Sequence, residues 1–413
     1  MERVIVVGGG AAGMMAASLL DTDRYGVTLI EKNEKLGKKL YITGKGRCNL
    51  TNACDRETFF ENIIENKRFM YSSFAAFDNF SVIDRFESLG LKTKTERGNR
   101  VFPVSDHSSD VIKALETEIR KRGVSVKLNT EVIKLDTKDG RCCGVVLKDG
   151  TALSADAVIL ATGGLSYPST GSTGEGFDMV RAVGHDVTKL YPSLCSVIVK
   201  EDFVKELEGL SLKNVTVTFK KKGKKIISDL GEMLFTDRGL SGPLILSGQA
   251  FVGEKSISEG DVTIHIDLKP ALDEGTLEKR IIREFEEEPH RQFGNVLRKL
   301  LPARLTRIMA LASGIASDRE ACTVTKAERA RLVGALKDFE FHALRSGGFG
   351  EAVVTRGGVE VGKVDPKTMG SKLCPGLYIA GEMLDVDAFT GGFNLQIAWS
   401  TGAAAARAVN NRP

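Results

Sequence analysis

The chain has 413 residues, 42% hydrophobic and 27% charged, the balance of a soluble globular protein with room for two or three domains. Its 58 basic and 54 acidic residues leave a net charge of +4, too mild to argue for nucleic acid. Seven scattered cysteines without a C-x-x-C pair point away from a zinc site or a disulfide framework and towards the reducing cytoplasm, and no apolar stretch reaches the roughly 18 residues of a membrane span.

Residues 3–7, Arg3-Val4-Ile5-Val6-Val7, are rich in β-branched side chains and predict a buried strand. Gly8, Gly10 and Gly13 follow at G-x-G-x-x-G spacing. Gly8 permits a tight turn, Gly10 lets the backbone approach a pyrophosphate, and Gly13 lets helix and strand pack closely. The helix over 11–20 opens with Ala11 and Ala12 and aims its free N–H groups and positive dipole end at the phosphates. A second strand over 27–30 ends in Glu31, about 20 residues past the glycines, where a carboxylate accepts hydrogen bonds from a ribose diol. The opening apolar run is too short for a signal sequence and carries the glycine turn, so it is read as strand. A bound dinucleotide is the expectation.

Residues 32–52 form a polar, glycine-broken loop. Lys32, Lys39, Gly44, Gly46, Arg47, Cys48 and Asn49 are assigned to the cofactor because the loop directly follows the ribose carboxylate and its glycines allow close backbone approach. Cys48 reads as a small packing residue rather than a redox thiol. Residues 56–90 read as helical, with an aromatic stripe (Phe59, Phe60, Phe74, Phe77, Phe80, Phe86) assigned to the core. There follow an extended piece at 99–103, an amphipathic helix over 110–122, strands over 124–128 and 131–135, and a hairpin of 142–147 and 151–153 about Asp149-Gly150. The apolar run 157–162 is a buried strand ending in a second glycine turn at Gly163-Gly164. A Gly/Ser/Thr loop over 166–176 precedes a helix over 177–183.

Composition shifts near Tyr191. Short antiparallel strands are expected at 215–219, 225–228, 233–235 and 261–268, and four helices at 277–288, 293–301, 303–313 and 326–338. The lysine run at 220–225 reads as a solvated hairpin turn, and the five histidines show no metal spacing, so no metal is expected. The α/β pattern returns at Glu351, with a last buried strand at 376–382 and a small-residue helix over 395–409. The expected organisation is therefore a discontinuous dinucleotide-binding domain, 1–190 and 346–413, carrying an inserted β domain, 191–270, and an inserted helical domain, 271–345.

Four segments, GGGAAG at 8–13, GKGRCNLTN at 44–52, ATGGLSYPSTGSTGEG at 161–176 and GLYIAGEMLDVDAFTGGFNLQIAWSTG at 376–402, together closely resemble the BaiN/YhiN-like NAD(P)/FAD-dependent oxidoreductases, also described as the aminoacetone oxidase family. The resemblance implies an α/β fold with a Rossmann-like FAD-binding domain, FAD as the dinucleotide and NAD(P)H as a transient electron donor. It implies that Val132 touches adenine, that Ala161, Thr162 and Gly163 pass close to the cofactor, and that Gly381, Glu382 and Asp385 face its ribityl and phosphate side. Gly392, Asn394, Leu395 and Gln396, at the start of the last helix, would point amides at the flavin pyrimidine edge. Two positions depart from the family pattern: Asp237, where many relatives carry His, and Ala388-Phe389, where they commonly carry Gly.

The chemistry expected from these features is reduction of an activated carbon–carbon double bond, such as that of a 3-oxo steroid or bile acid. Tyr167 is assigned as proton donor and Arg238 as holder of an oxyanion. The loop 171–176 is similar to one in fumarate reductase and ketosteroid dehydrogenase flavoproteins, which favours this reading. The alternatives are a flavin amine oxidase acting on aminoacetone and a non-catalytic flavin-binding sensor. The expected partner is a small-molecule substrate, with no nucleic acid and no membrane span; oligomeric state is not legible.

Overall fold

Short runs of Val, Ile and Leu can be buried on both faces only in a sheet covered from both sides. In the computed structural model, which describes residues 1–412, they form a five-stranded parallel sheet. Its order is Leu377–Ile379, Ala157–Leu160, Glu2–Val7, Tyr25–Ile30, Ser125–Lys127. The first strand lies at the centre, with Val7 opposite both Leu160 and Ile30. The helix Ala11–Leu19 leaves it directly, and the C-terminal helix Phe393–Asn410 packs against that helix so tightly that a Cβ at Gly402 would stand 2.3 Å from the Ala12 carbonyl oxygen. Trp399, fully buried, donates its indole N–H to the Leu50 carbonyl at 2.9 Å and meets Phe86 edge-on.

The expected hairpin is present as Arg141–Leu147 and Ala152–Ser154, paired with Val132–Lys138. The helical stretch 56–90 is broken into Arg56–Glu61, Met70–Ala76 and Asn79–Ser88. Asp55 and Asp78 cap the first and third by accepting from Thr58 and Ser81 N–H. The breaks turn one residue of the aromatic stripe outwards: Phe80 is 53% exposed, whereas Phe59, Phe74 and Phe86 are buried.

The chain forms two compact units, 1–192 with 349–413, and 193–348. The second is built on a closed antiparallel barrel ordered Val197–Val199, Gly239–Ser241, Lys224–Phe235, Ser211–Lys221, Val262–Asp267, Phe339–Ser346. The separate strands expected at 225–228 and 233–235 are one strand, Lys224–Phe235. Gly231, which reads as a break, is the place where Leu244 packs onto the strand. The helices Glu274–Glu287, Ala303–Ser313 and Lys326–Lys337 share one apolar core with the barrel, so no core boundary falls at 270. The last barrel strand, Phe339–Ser346, lies in the segment expected to be helical. Its alternation of buried Phe339, Phe341 and Ala343 with exposed residues is the period of a half-buried strand.

The contact at Gly402 is backbone against the Ala12 backbone, with no flexible side chain to yield. Gly402→Ala is expected to cost about 1–3 kcal/mol, read as a lowered urea midpoint at unchanged slope.

Candidate cofactor site

The three glycines of the opening turn have three different surroundings. Gly8, at φ +103°, would place a Cβ 2.4 Å from the Ala161 carbonyl oxygen, and a Cβ at Gly13 would lie 1.9 Å from the Gly8 carbonyl oxygen. A Cβ at Gly10 would meet nothing within 4 Å. The turn is therefore closed where strand and helix pack and open where a ligand's phosphates would come. The helix beyond it, Ala11–Leu19, has no side-chain cap and no acidic residue in its first turn. Its first N–H groups and positive dipole end suit an anion.

Glu31 is buried at the end of the second strand. One carboxylate oxygen accepts from the Gly9 N–H at 2.7 Å and the other from the Asn33 backbone and side-chain N–H groups at 2.8 and 2.6 Å. Each carboxylate oxygen has more than one acceptor position, so capacity for a diol remains. Thr130 donates its N–H to the Glu31 carbonyl at 3.0 Å, which brings buried Val132 alongside. Ala161 and Thr162 run behind the turn, and the Thr162 hydroxyl contacts the Met383 sulfur at 3.1 Å. Gly381 adjoins Ala12, its N–H held by the Thr401 hydroxyl at 2.9 Å. Gly8, Gly10, Ala11, Ala12, Gly13, Glu31, Ala161, Thr162 and Gly381 thus collect around one turn; Val132 follows two residues after Thr130, and Gly163 faces Ser172 and Glu382.

The lysines are engaged with the protein. Lys39 pairs with Glu382 at 2.6 Å and reaches the Ser166 hydroxyl. Glu382 also accepts from Ser166 at 2.7 Å and from the Thr355 N–H at 2.8 Å. Burial alone would raise the Glu382 carboxyl, but the Lys39 ammonium and these hydrogen bonds hold it below the usual carboxylate range. Lys32 pairs with Glu175 at 3.0 Å, and Asn33 donates to the Thr170 carbonyl at 3.0 Å. The Gly/Ser/Thr loop is therefore tied to the residues just after Glu31.

In the loop after Lys39, Gly44 and Gly46 take positive φ. Arg47 is held by Glu96 and Asp106, each at 2.5 Å, and lies 4.2 Å over the Phe102 ring, so its charge is spent on protein partners. Cys48 is fully buried and its thiol is pushed up to about 12 by that burial, which agrees with a packing role. Among the described residues, the side-chain oxygen of Asn49 is buried with no hydrogen-bond partner. Such orphans are rare in finished structures and mark a place where a ligand donor fits.

The C-terminal helix starts at Gly392, again with no side-chain cap and no acidic first turn. Asn394 pins the preceding turn, accepting from Ala388 N–H and donating to the Ala388 and Phe389 carbonyls. Gln396 is fully buried and bonded to Thr51, Phe77 and Ser400. Only the backbone amides of Asn394 and Leu395 therefore suit the expected role: the Gln396 N–H donates to the Gly392 carbonyl at 3.0 Å, and the side chains of Asn394 and Gln396 are structural. Asp385 has its carboxyl raised by burial, with hydrogen bonds from Thr188 and Asn66 opposing.

Tyr167 stands at φ +52°, a conformation that costs a bulky residue energy and that clusters at functional sites. Burial, then the neighbouring Glu351, raises its phenol further above the ordinary tyrosine range. Arg238 belongs to the second unit, where it is exposed and lies 3.4 Å from Asp237. A further pair escaped the sequence reading: Arg356 donates to the buried Asp387 at 3.2 Å. Burial, opposed by Arg356, leaves the Asp387 carboxyl pushed up to about 6. Two aspartates at alternate positions, 385 and 387, ahead of a double glycine were the available signal.

The family described as HI0933-like protein Rossmann domain matches residues 2–408. A 3-dehydro-bile acid delta(4,6)-reductase from Clostridium scindens is 32% identical over the whole of both chains. Ribosomal RNA dihydrouridine synthases from Haemophilus influenzae and Escherichia coli are 30% and 29% identical, over 99% and 98% of this chain and 98% of each relative. Two solved structures share the fold. A 3-ketosteroid delta1-dehydrogenase from Sterolibacterium denitrificans has TM-score 0.52 and 12% identity, over 98% of this chain and 99% of that one. A quinol-fumarate reductase has TM-score 0.52 and 15% identity, over 100% and 72%.

The Lys39–Glu382 pair makes a signed prediction. A carboxyl depressed in the folded state adds stability at pH above its unfolded pKa, and that stability is lost as pH falls through the lower folded value. Lys39→Met is expected to raise the Glu382 carboxyl, because burial is then opposed only by the Ser166 and Thr355 hydrogen bonds. The cost is about 2 kcal/mol at pH 7, less than for a fully buried pair because both side chains remain partly exposed. Urea midpoints across the acid range check both.

Proposed function

The chain belongs to the HI0933-like Rossmann-domain family and is an FAD-dependent oxidoreductase, and from that premise we propose that it reduces a carbon–carbon double bond conjugated to a carbonyl, with NAD(P)H as electron donor. The observation that carries this reading is the end-to-end match to a relative named for reduction of such a bond in a 3-oxo bile acid, together with the open anion cradle at Gly10. Glu31 would hold the ribose, the amides opening Ala11–Leu19 the pyrophosphate, and the amides opening Phe393–Asn410 the pyrimidine edge. Bound FAD supplies the hydride equivalent such a reduction needs.

The chain's own residues must manage the proton and the carbonyl oxygen. The Tyr167 phenol, protonated at neutral pH as any tyrosine is, is assigned to deliver the proton to the α carbon. The first substrate reading is a small oxo-ene of the 3-oxo bile acid or steroid kind.

A second reading keeps the same bond chemistry and changes the carrier. Dihydrouridine is uridine with its ring double bond reduced, and two near-full-length relatives are named for making it in ribosomal RNA. The observation in this chain that favours it is the turn between Ser211–Lys221 and Lys224–Phe235, where Lys222, Lys224 and Lys225 are exposed in a single tight turn. A net charge of +4 averages over that local concentration.

Anaerobic mixing with NADH or NADPH should bleach the flavin, and reoxidation by a 3-oxo-Δ4 bile acid or by uridine-containing RNA then selects the substrate. Bleaching only by aminoacetone, with reoxidation by oxygen alone, would establish the amine oxidase instead. Glu31→Ala should weaken FAD binding by about tenfold or more, roughly 1.4 kcal/mol, measured by flavin fluorescence titration. Tyr167→Phe should lower turnover on the order of 100-fold with FAD content unchanged, and full activity would remove Tyr167 as donor.

A further inference from the structure

We propose that His290, Glu320 and Cys322 of the second unit form a binding site for a borderline divalent metal ion of the zinc class. His290 Nδ1 lies 3.0 Å from Glu320 Oε2, Cys322 Sγ lies 3.6 Å from the same oxygen, and all three ligand atoms fall within 4.8 Å of one another. Tetrahedral zinc with ligands at about 2.0–2.3 Å sets neighbouring donors about 3.3–3.8 Å apart, so small side-chain rotations suffice. Along the sequence these histidines show no metal spacing, because 30 residues separate His290 from Glu320. Backbone pairing brings them together.

That pairing makes the site rigid. The Phe293 N–H donates to the Arg319 carbonyl at 2.7 Å, Ala321 to Arg291 at 3.0 Å, Cys322 to Pro289 at 2.9 Å and Gly294 to Ser317 at 2.9 Å. Phe293 and Ala321 are buried, anchoring both segments in the core beneath. The flanking cations are already neutralised: Arg291 pairs with Glu288 and Arg319 with Glu328, each at 2.6 Å. On binding, neutral His290 gives its Nδ1 lone pair, Glu320 a carboxylate oxygen and Cys322 a thiolate, whose proton passes to solvent. Water completes the fourth position, and no electron is transferred. One sulfur, one nitrogen and one oxygen favour a zinc-class ion over magnesium or calcium. Cys322 is also the one cysteine in the exposed class among the described residues, so it is accessible to a reagent that reports on the site.

The test uses the FAD-loaded protein, freed of metal with chelator and titrated calorimetrically with zinc chloride. One zinc per chain is expected, and bound zinc should slow alkylation of Cys322 at least tenfold by peptide mass spectrometry. Cys322→Ser and His290→Ala, both at exposed positions, should each weaken zinc binding by more than tenfold, while flavin content and bleaching by NAD(P)H stay as in the parent. Absence of zinc binding overturns the proposal. So does affinity that survives Cys322→Ser, His290→Ala and Glu320→Gln alike, or displacement of zinc by an equal concentration of magnesium.

Discussion

The first unit depends on a contact between backbones from which side chains are excluded. The Gly8 carbonyl lies where a Cβ of Gly13 would be, and the Ala161 carbonyl lies where a Cβ of Gly8 would be. With strand, helix and neighbouring strand drawn this close, the peptide dipoles of the first helix are aimed over the end of the sheet with nothing of the protein in front of Gly10. An alanine at Gly8 or Gly13 would push these elements apart and move the helix end away from whatever anion it holds.

From that contact two polar networks extend the site in opposite directions. On one side Glu31 is fixed by Gly9 and Asn33, and Asn33 and Lys32 tie in the Gly/Ser/Thr loop. On the other, Lys39, Ser166, Thr355 and Glu382 form a closed set of charge-assisted bonds. Both place the ligand-facing groups on side chains that already have protein partners. Such a site is preorganised: little conformational freedom is left to lose when a cofactor arrives.

The parts of this architecture legible in the sequence are those where local chemistry and tertiary structure agree. Five parallel strands, the glycine turn and Glu31 announce themselves through β-branched runs and spacing. What escaped is settled by distant neighbours. Arg47 looks like a ligand-facing cation until Glu96 and Asp106, some 50 and 60 residues on, claim it. Gln396 looks like a flavin-facing amide until the Gly392 carbonyl takes its N–H and Thr51, Phe77 and Ser400 hold its side chain. The strand Lys224–Phe235 looks broken at Gly231 until Leu244 covers it, and Phe80 looks like core until a helix break turns it to water. A one-dimensional pattern records what a residue is able to do, and its partners decide what it does.

The insertion of the barrel between strands of the parallel sheet has a consequence for biosynthesis. Val197 pairs with Ser346, so the second unit returns the chain next to where it took it up, and its apolar core closes only when Phe339–Ser346 is in place. The sheet still lacks Leu377–Ile379 and the helix Phe393–Asn410 at that moment. A nascent chain leaving the ribosome therefore holds the exposed edge of Ala157–Leu160 and the bare face of the first helix unsatisfied while more than 200 residues are added. Completion of the cofactor domain waits on Leu377–Ile379 and Phe393–Asn410, and loss of that helix strikes the amino-terminal turn as hard as any change within it.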